Sequence, residues 1–322
     1  MPDVSVQRLF NENREKLDLV WLAGRQGCQR AAPVGSLTDP RAGLIAHLNL
    51  THPHRFQVLG QMEITYLLGL DGAALQRAFE NIFSEDLATI IIADGGLLPE
   101  ALGAAAENHG VPVIGSPVPS ATVINLLRHY LSQELAEEIT LHGVFMVILE
   151  VGVLITGDSA VGKSELALEL ITRGHGLVAD DVVELYRIGP ETLQGRCPPL
   201  LRDFLEVRGL GLINIRSIFG ETAVRPRKNL KLIVHLERPP GGDLSALDRL
   251  PGNNKTQNIL GLQVPRVVLP VAIGRNLAVL VEAATRNFIL SQRGIDSTEQ
   301  FVRRQAEFMA EEQLLPDSES HD

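Results

Sequence analysis

One stretch near the middle of the chain restricts its fold more than any other: Gly157-Asp158-Ser159-Ala160-Val161-Gly162-Lys163-Ser164. It meets the spacing G-x-x-x-x-G-K-[ST], whose glycines let successive backbone amides turn inward as an anion nest. Such a loop needs a buried strand before it and a helix after it, because the helix N-terminus adds its positive dipole end at the same point. Both neighbours are present. Val153, Leu154 and Ile155 form an apolar run ahead of the loop. Behind it, Leu166, Ala167, Leu170 and Ile171 share one helix face, Glu169 can pair with Arg173 one turn on, and Gly174 stops the helix. All eight loop residues would then wrap the phosphates of a nucleotide. Lys163 would reach the β- and γ-phosphates, and the Ser164 hydroxyl would ligate Mg²⁺.

The next strand, "GLVADD", closes on Asp180 and Asp181. In phosphate-loop enzymes a carboxylate at a strand end holds the metal while a neighbour handles the nucleophile. Adjacent residues on a strand point to opposite faces, so without a local bend the two aspartates serve different sides. One is expected to face the metal and the other the incoming acceptor. A motor or switch core usually places a further strand and helix before its second acidic motif. This compact spacing excludes an ordinary GTPase or motor core.

Composition narrows the rest. With 45% hydrophobic and 21% charged residues, the 322-residue chain is a globular protein long enough for two domains. A net charge of −10 argues against general affinity for nucleic acid. The one conspicuous basic run, Val224–Lys231, is expected to be a solvated turn before a strand. Two cysteines, Cys28 and Cys197, lack metal-ligand spacing and suit a reducing compartment. The first residues have no apolar signal core, and the longest apolar stretch, 143–157, carries Glu150 and is too short to span a bilayer. The expectation is a cytoplasmic protein with no membrane partner.

Residues 1–130 read as a small α/β domain without a chemical motif. "LATIIIAD" is a buried strand, "LPEALGAAAENHG" a helix ended by Gly110, and "VPVIGS" a strand. Ser120 is the expected N-cap of the helix that follows. Residues 131–322 carry the loop. They add two apolar runs about a turn near Glu150–Gly152, a hairpin turning at Gly189-Pro190 and a strand-to-helix stretch, "GRNLAVLVEAATRNFILSQRG". A terminal helix is expected with Ser297 and Gln300 as a capping box, followed by a frayed "PDSESHD" tail.

Taken together, "HGVFMVILEVGVLITGDSAVGKSELALELITRGHGLVADD", "LEVRGLGLIN", "VHLE", "LDRL" and "PVAIGRN" resemble the HPr kinase/phosphorylase family over essentially the whole chain. The resemblance implies a C-terminal domain similar to the nucleotide fold of phosphoenolpyruvate carboxykinase, in a hexameric enzyme. That enzyme would use ATP or pyrophosphate to phosphorylate a serine of the phosphocarrier HPr, and would remove the phosphate with inorganic phosphate. By the same resemblance, Ser164 and Glu206 hold Mg²⁺, and Asp181 takes the serine proton with Asp180 beside it. His142, Lys163 and Arg249 complete the catalytic set. Residues 205–214 would serve both directions and 270–275 the dephosphorylating one. Glu206 is read as lying on a helix. The chain departs from the family pattern at Glu150, where a glycine-rich turn is usual, and in "PVAIGR", which lacks a basic residue after Pro-Val.

Two other classes stay open on residues alone: a small-molecule kinase or ATPase using the same loop, and a nucleotide-sensing regulator with vestigial catalysis. The intact Lys163, Ser164, Asp180, Asp181 and Glu206 weigh against the regulator. No feature announces a pocket for a small acceptor.

Overall fold

The computed structural model describes residues 3–34, 44–50, 54–83, 86–238, 255–272 and 274–314, the side chains of 297, 298 and 310–314 excepted. The chain divides into two compact units, Met1–Glu137 with Tyr186–Thr192 and Glu138–Leu185 with Leu193–Asp322. No helix among the described residues is long and apolar enough to cross a membrane.

The first unit is built on a five-stranded sheet ordered Val20–Ala23, Val113–Gly115, Thr89–Ile92, Phe56–Leu59, Ile45–His47. Its last four strands run parallel and the first antiparallel. A parallel strand buried on both faces needs an unbroken apolar run, which is what 90–92 supply. Ile91 packs with helices Val6–Leu17 and Ser120–Glu134, while Ile90 and Ile92 face helices Gln61–Leu68, Gly72–Ile82 and Glu100–His109. Gly110 ends the last of these at φ +58°, in the left-handed region glycine tolerates.

Ser120 is not the cap of its helix. Pro119 occupies the N-cap, and the Ser120 N–H donates to Asp94 Oδ1 at 2.7 Å. The Asp94 carboxylate also accepts from the Gln61 N–H at 3.0 Å, so one anion serves two helix starts.

In the second unit the strand entering the loop, Val151–Gly157, runs parallel to Arg227–Glu237 and antiparallel to Val144–Ile148. Gly176–Ala179 pairs with Val144–Ile148, and Leu262–Pro270 runs parallel to Arg227–Glu237. Lys255–Ile259 pairs antiparallel with Leu262–Pro270, and Gln194, Gly195 and Arg196 pair antiparallel with Asn229, Lys228 and Arg227. Alternation sorts the strand residues: Val153 and Ile155 join the core with helix Lys163–Thr172, while Leu154 joins the core on the opposite face. Helix Leu277–Ser291 adds Ala278 and Val281 to the first of these cores. The expected helix face, Leu166, Ala167, Leu170 and Ile171, is buried.

The turn between the apolar runs falls on Leu149 and Glu150, at φ +49° and +64°, and the strand resumes at Val151. Two successive left-handed residues make the tight hairpin turn that matches strand twist. Glu150 Oε2 lies 2.9 Å from Lys228 Nζ, so the charge at the turn is paired. Lys228 lies on strand Arg227–Glu237, so the basic run expected to be a turn is already strand from Arg227 onward.

Three other expectations are corrected. "GRNLAV" contains no strand: Asn276 caps a helix from Leu277, its Oδ1 accepting the Val279 N–H at 2.9 Å. The terminal helix Ser297–Leu314 is capped by Asp296, whose Oδ1 accepts the Glu299 N–H at 3.1 Å; a carboxylate one residue earlier takes the place of the Ser297 box. Glu206 lies on a strand, Phe204–Val207, because buried Leu205 and Val207 flank it with the period of two that a strand requires. The tail 316–322 lies outside the described residues.

Candidate active site

The parallel strands of the second unit end together, and the loop residues 158–162 leave from that carboxyl edge. Gly157 has φ +148°, and a Cβ there would sit 2.5 Å from the Leu236 carbonyl oxygen. Only glycine fits the strand exit. Gly162 has φ +100° and Ala160 φ +65°, so the backbone doubles back before helix Lys163–Thr172 begins. Val161 is buried and pins the loop to the core, while Asp158, Ser159 and Ala160 stay exposed. Lys163 Nζ donates to the Gly157 and Asp158 carbonyls at 3.0 Å each, which holds the ammonium across the mouth of the loop.

The strand Gly176–Ala179 stops just short of the aspartates. Asp180 is buried, with 7% of its surface exposed. It accepts from Ser164 Oγ at 3.2 Å and 3.4 Å on its two oxygens, and from the Glu206 N–H at 3.0 Å. Burial pushes its carboxyl above the ordinary value, opposed by those hydrogen bonds. Asp181 sits at φ +63°, the local bend that separates the pair. Its side chain is 76% exposed, with Oδ1 3.7 Å from His142 Nδ1. The Gly143 N–H donates to the Asp181 carbonyl at 3.1 Å, so the backbone itself keeps His142 next to Asp181.

A cavity of about 220 Å³ is lined by Ser159, Lys163, Ser164, Asp180, Asp181 and Glu206, with Arg208 at its side. Lys163, Ser164, Asp180, Asp181 and Glu206 therefore meet in one place, and His142 is tied to it through Asp181. Among the described residues no three His, Cys, Asp or Glu side chains converge as a ligand set. Arg249 lies outside the described residues. Of the segment 270–275, Pro270 and Val271 lie at the same sheet edge, where the Val271 N–H donates to the Glu237 carbonyl at 2.8 Å.

Sequence reasoning did not single out Arg208 or Arg238. Arg208 stands one residue past the strand that carries Glu206 and lines the same cavity. Arg238 reaches the loop from the neighbouring strand, and no local pattern signals it. The ion group Arg173–Glu282–His175 was also missed; the sequence reading paired Arg173 with Glu169, which lies 3.9 Å away, whereas Glu282 lies at 2.8 Å.

An inward-turned anion loop with a buried and an open carboxylate beside it defines a phosphate-loop enzyme of the phosphoryl-transfer class. The description "HPr Serine kinase N terminus" matches residues 4–131, and "HPr Serine kinase C-terminal domain" matches residues 133–305. The chain belongs to the HPr serine kinase family. It is 53% identical over 318 residues to the HPr kinase/phosphorylase of Chromobacterium violaceum, covering 98% of this chain and 99% of that one. The HPr kinase/phosphorylase of Nitrosomonas europaea is 53% identical over 310 residues, 96% of each chain. A solved chain described as the Hpr(Ser) kinase/phosphatase from Coxiella burnetii is 41% identical, with a TM-score of 0.45 over 51% of this chain and 98% of that one.

Proposed function

We propose that this chain transfers the terminal phosphoryl group of ATP, or of pyrophosphate, to a serine of HPr, and returns it to inorganic phosphate as pyrophosphate. The observation that carries this reading is the division of the two aspartates: Asp180 buried against Ser164, Asp181 open beside the same loop.

A serine hydroxyl is a weak nucleophile at neutral pH, and a carboxylate within hydrogen-bond reach helps by accepting its proton. Asp181 is the carboxylate a protein-borne serine can reach, because its side chain stands in solvent at the mouth of the cavity. In the reverse direction the same carboxyl hands the proton back to the departing serine oxygen. His142 holds the orientation of Asp181. Lys163 turns from the loop carbonyls to the donor's phosphate oxygens, and Arg249 carries charge on the transferring group. Because the loop and Lys163 recognise phosphate and not the base, inorganic phosphate can take the nucleotide's place.

Ser164, Asp180 and Glu206 supply hard oxygen donors on one cavity, and a buried carboxylate with no cationic partner among the described residues fits a divalent ion. We assign Mg²⁺ to Ser164 and Glu206 with Asp180 behind, where it would neutralise charge on the bridging phosphates. We further infer a cytoplasmic homo-hexamer, with residues 1–130 serving scaffolding or subunit contact and 131–322 catalysis.

The test is transfer of label from ATP to purified HPr beside HPr whose acceptor serine is alanine, with and without EDTA, followed by added phosphate. The reading requires serine-dependent label, no label in EDTA, release as pyrophosphate, and loss of both directions in Asp181→Asn. Bound ATP without any transfer would leave a nucleotide-binding regulator instead.

A further inference from the structure

We propose that Arg238 is a positioning residue for the phosphate loop: its guanidinium holds the Ala160 carbonyl outward so that the following amide faces the bound phosphates. The proposal rests on the nucleotide-site reading above and adds a residue to it.

Strand Arg227–Glu237 supports the exit of the loop strand along its whole last turn. Thr156 is in register with His235, and Thr156 Oγ1 lies 2.9 Å from His235 Nδ1. Gly157 is in register with Leu236, whose carbonyl leaves no room for a Cβ at that position. Arg238 follows that strand and reaches over the loop, donating from Nη2 to the Ala160 carbonyl at 2.5 Å.

That one contact fixes a peptide plane. In a trans peptide the C=O and the next N–H point opposite ways, so an outward Ala160 carbonyl means an inward Val161 N–H. The inward N–H now meets the Asp158 carbonyl at 3.3 Å, a long bond that a phosphate oxygen can replace. Ala160 adopts φ +65°, which an L-residue resists and a glycine does not. A charge-assisted hydrogen bond to its carbonyl offsets that resistance. Arg238 touches the loop from outside and acts on phosphate only through it.

The experiment is calorimetric titration of the full-length chain with ATP and, separately, pyrophosphate, each with Mg²⁺, for wild type, Arg238→Ala, Arg238→Lys and Ala160→Gly with and without Arg238→Ala. Loss of one charge-assisted bond should weaken both donors about tenfold in Arg238→Ala. Arg238→Lys should recover most of it, since an ammonium can also donate to the carbonyl. In the Ala160→Gly background, which needs no help at φ +65°, the Arg238→Ala penalty should fall to about threefold or less. The KM for HPr should not move.

A penalty confined to ATP would overturn the proposal, placing Arg238 against the nucleoside. A fall in kcat at unchanged donor affinity would also overturn it, placing Arg238 on the transferring group. Unchanged binding in every variant would mean the contact is idle. Wild type that binds neither donor would overturn the nucleotide-site reading itself, a result distinct from wild type that binds and variants that bind equally well.

Discussion

Ser164 Oγ donates to Asp180 across 3.2 Å, joining the first turn of the loop helix to the end of strand Gly176–Ala179. The bond joins a buried carboxylate to the loop helix at the wall of the cavity. Burial holds the Asp180 proton more tightly in the folded chain than in the unfolded one. The metal-free protein therefore loses stability as pH rises from the ordinary 3.8 through the raised folded value.

Asp180→Asn removes that cost while keeping an oxygen for Ser164 and the Glu206 amide. Its metal-free form should melt above wild type at neutral pH, with the difference closing toward acid. With Mg²⁺ and ATP present the order should reverse, because only the carboxylate gains from the cation. Thermal melts across pH, with and without Mg²⁺-ATP, measure both halves; a variant that melts below wild type in both conditions contradicts this account of Asp180.

Asp181 has the opposite surroundings, open and beside His142. Asp181→Asn should cut transfer to HPr by about 10²–10⁴ with ATP affinity left within about twofold, since a proton acceptor acts on the chemical step. Single-turnover transfer and equilibrium nucleotide binding on the same preparation separate the two quantities. A variant that loses ATP binding instead would place Asp181 in the nucleotide site.

Glu282, on helix Leu277–Ser291, takes Arg173 on both oxygens, at 3.0 Å and 2.8 Å, and His175 Nε2 at 2.8 Å. The Arg173 hydrogen bonds, opposed by burial and aided by His175, bring its carboxyl down to about 2. A depressed carboxylate stabilises the fold above its unfolded value and loses that contribution as pH falls. The window runs from the ordinary 4.5 down to about 2. Glu282→Gln should cost roughly 1–2 kcal/mol at neutral pH. Urea midpoints of the two proteins should converge through that acid window, and a gap independent of pH would assign the loss to packing.

Gly157→Ala tests the strand exit. Its Cβ would meet the Leu236 carbonyl at 2.5 Å, at a φ of +148° that side chains avoid. The strain is of the order of 1–3 kcal/mol and should be relieved by moving the loop. Nucleotide binding should fall by at least about tenfold, while circular dichroism and the first unit's stability stay unchanged. Binding equal to wild type would show that the loop tolerates a different path.

What the sequence determined by itself is whatever is carried by neighbours along the chain. The loop, the strand before it and the helix after it were legible because glycine positions and apolar periodicity are local, and the buried face from Leu166 to Ile171 follows from a helical repeat. Asp180 and Asp181 were legible as a pair, but the fold alone gave one to Ser164 and the other to solvent. The left-handed backbone at Asp181 is held from beside it by the Val182 amide on the Asp180 carbonyl, and from far along the chain by the Gly143 amide on its own carbonyl. Glu206 was placed on the wrong element because "LEVRGLG" is short and its buried Leu205 and Val207 matter only once a core exists to receive them. Caps were misjudged at both serines: Pro119 takes the cap position and Asp94 holds the Ser120 amide, and Asp296 takes the Glu299 amide within reach of Ser297. Glu282 with Arg173, and Arg238 with Ala160, join residues far apart in the chain. Such contacts depend on which strands lie side by side, and strand order is set by burial of the whole sheet, a property that only the tertiary structure possesses.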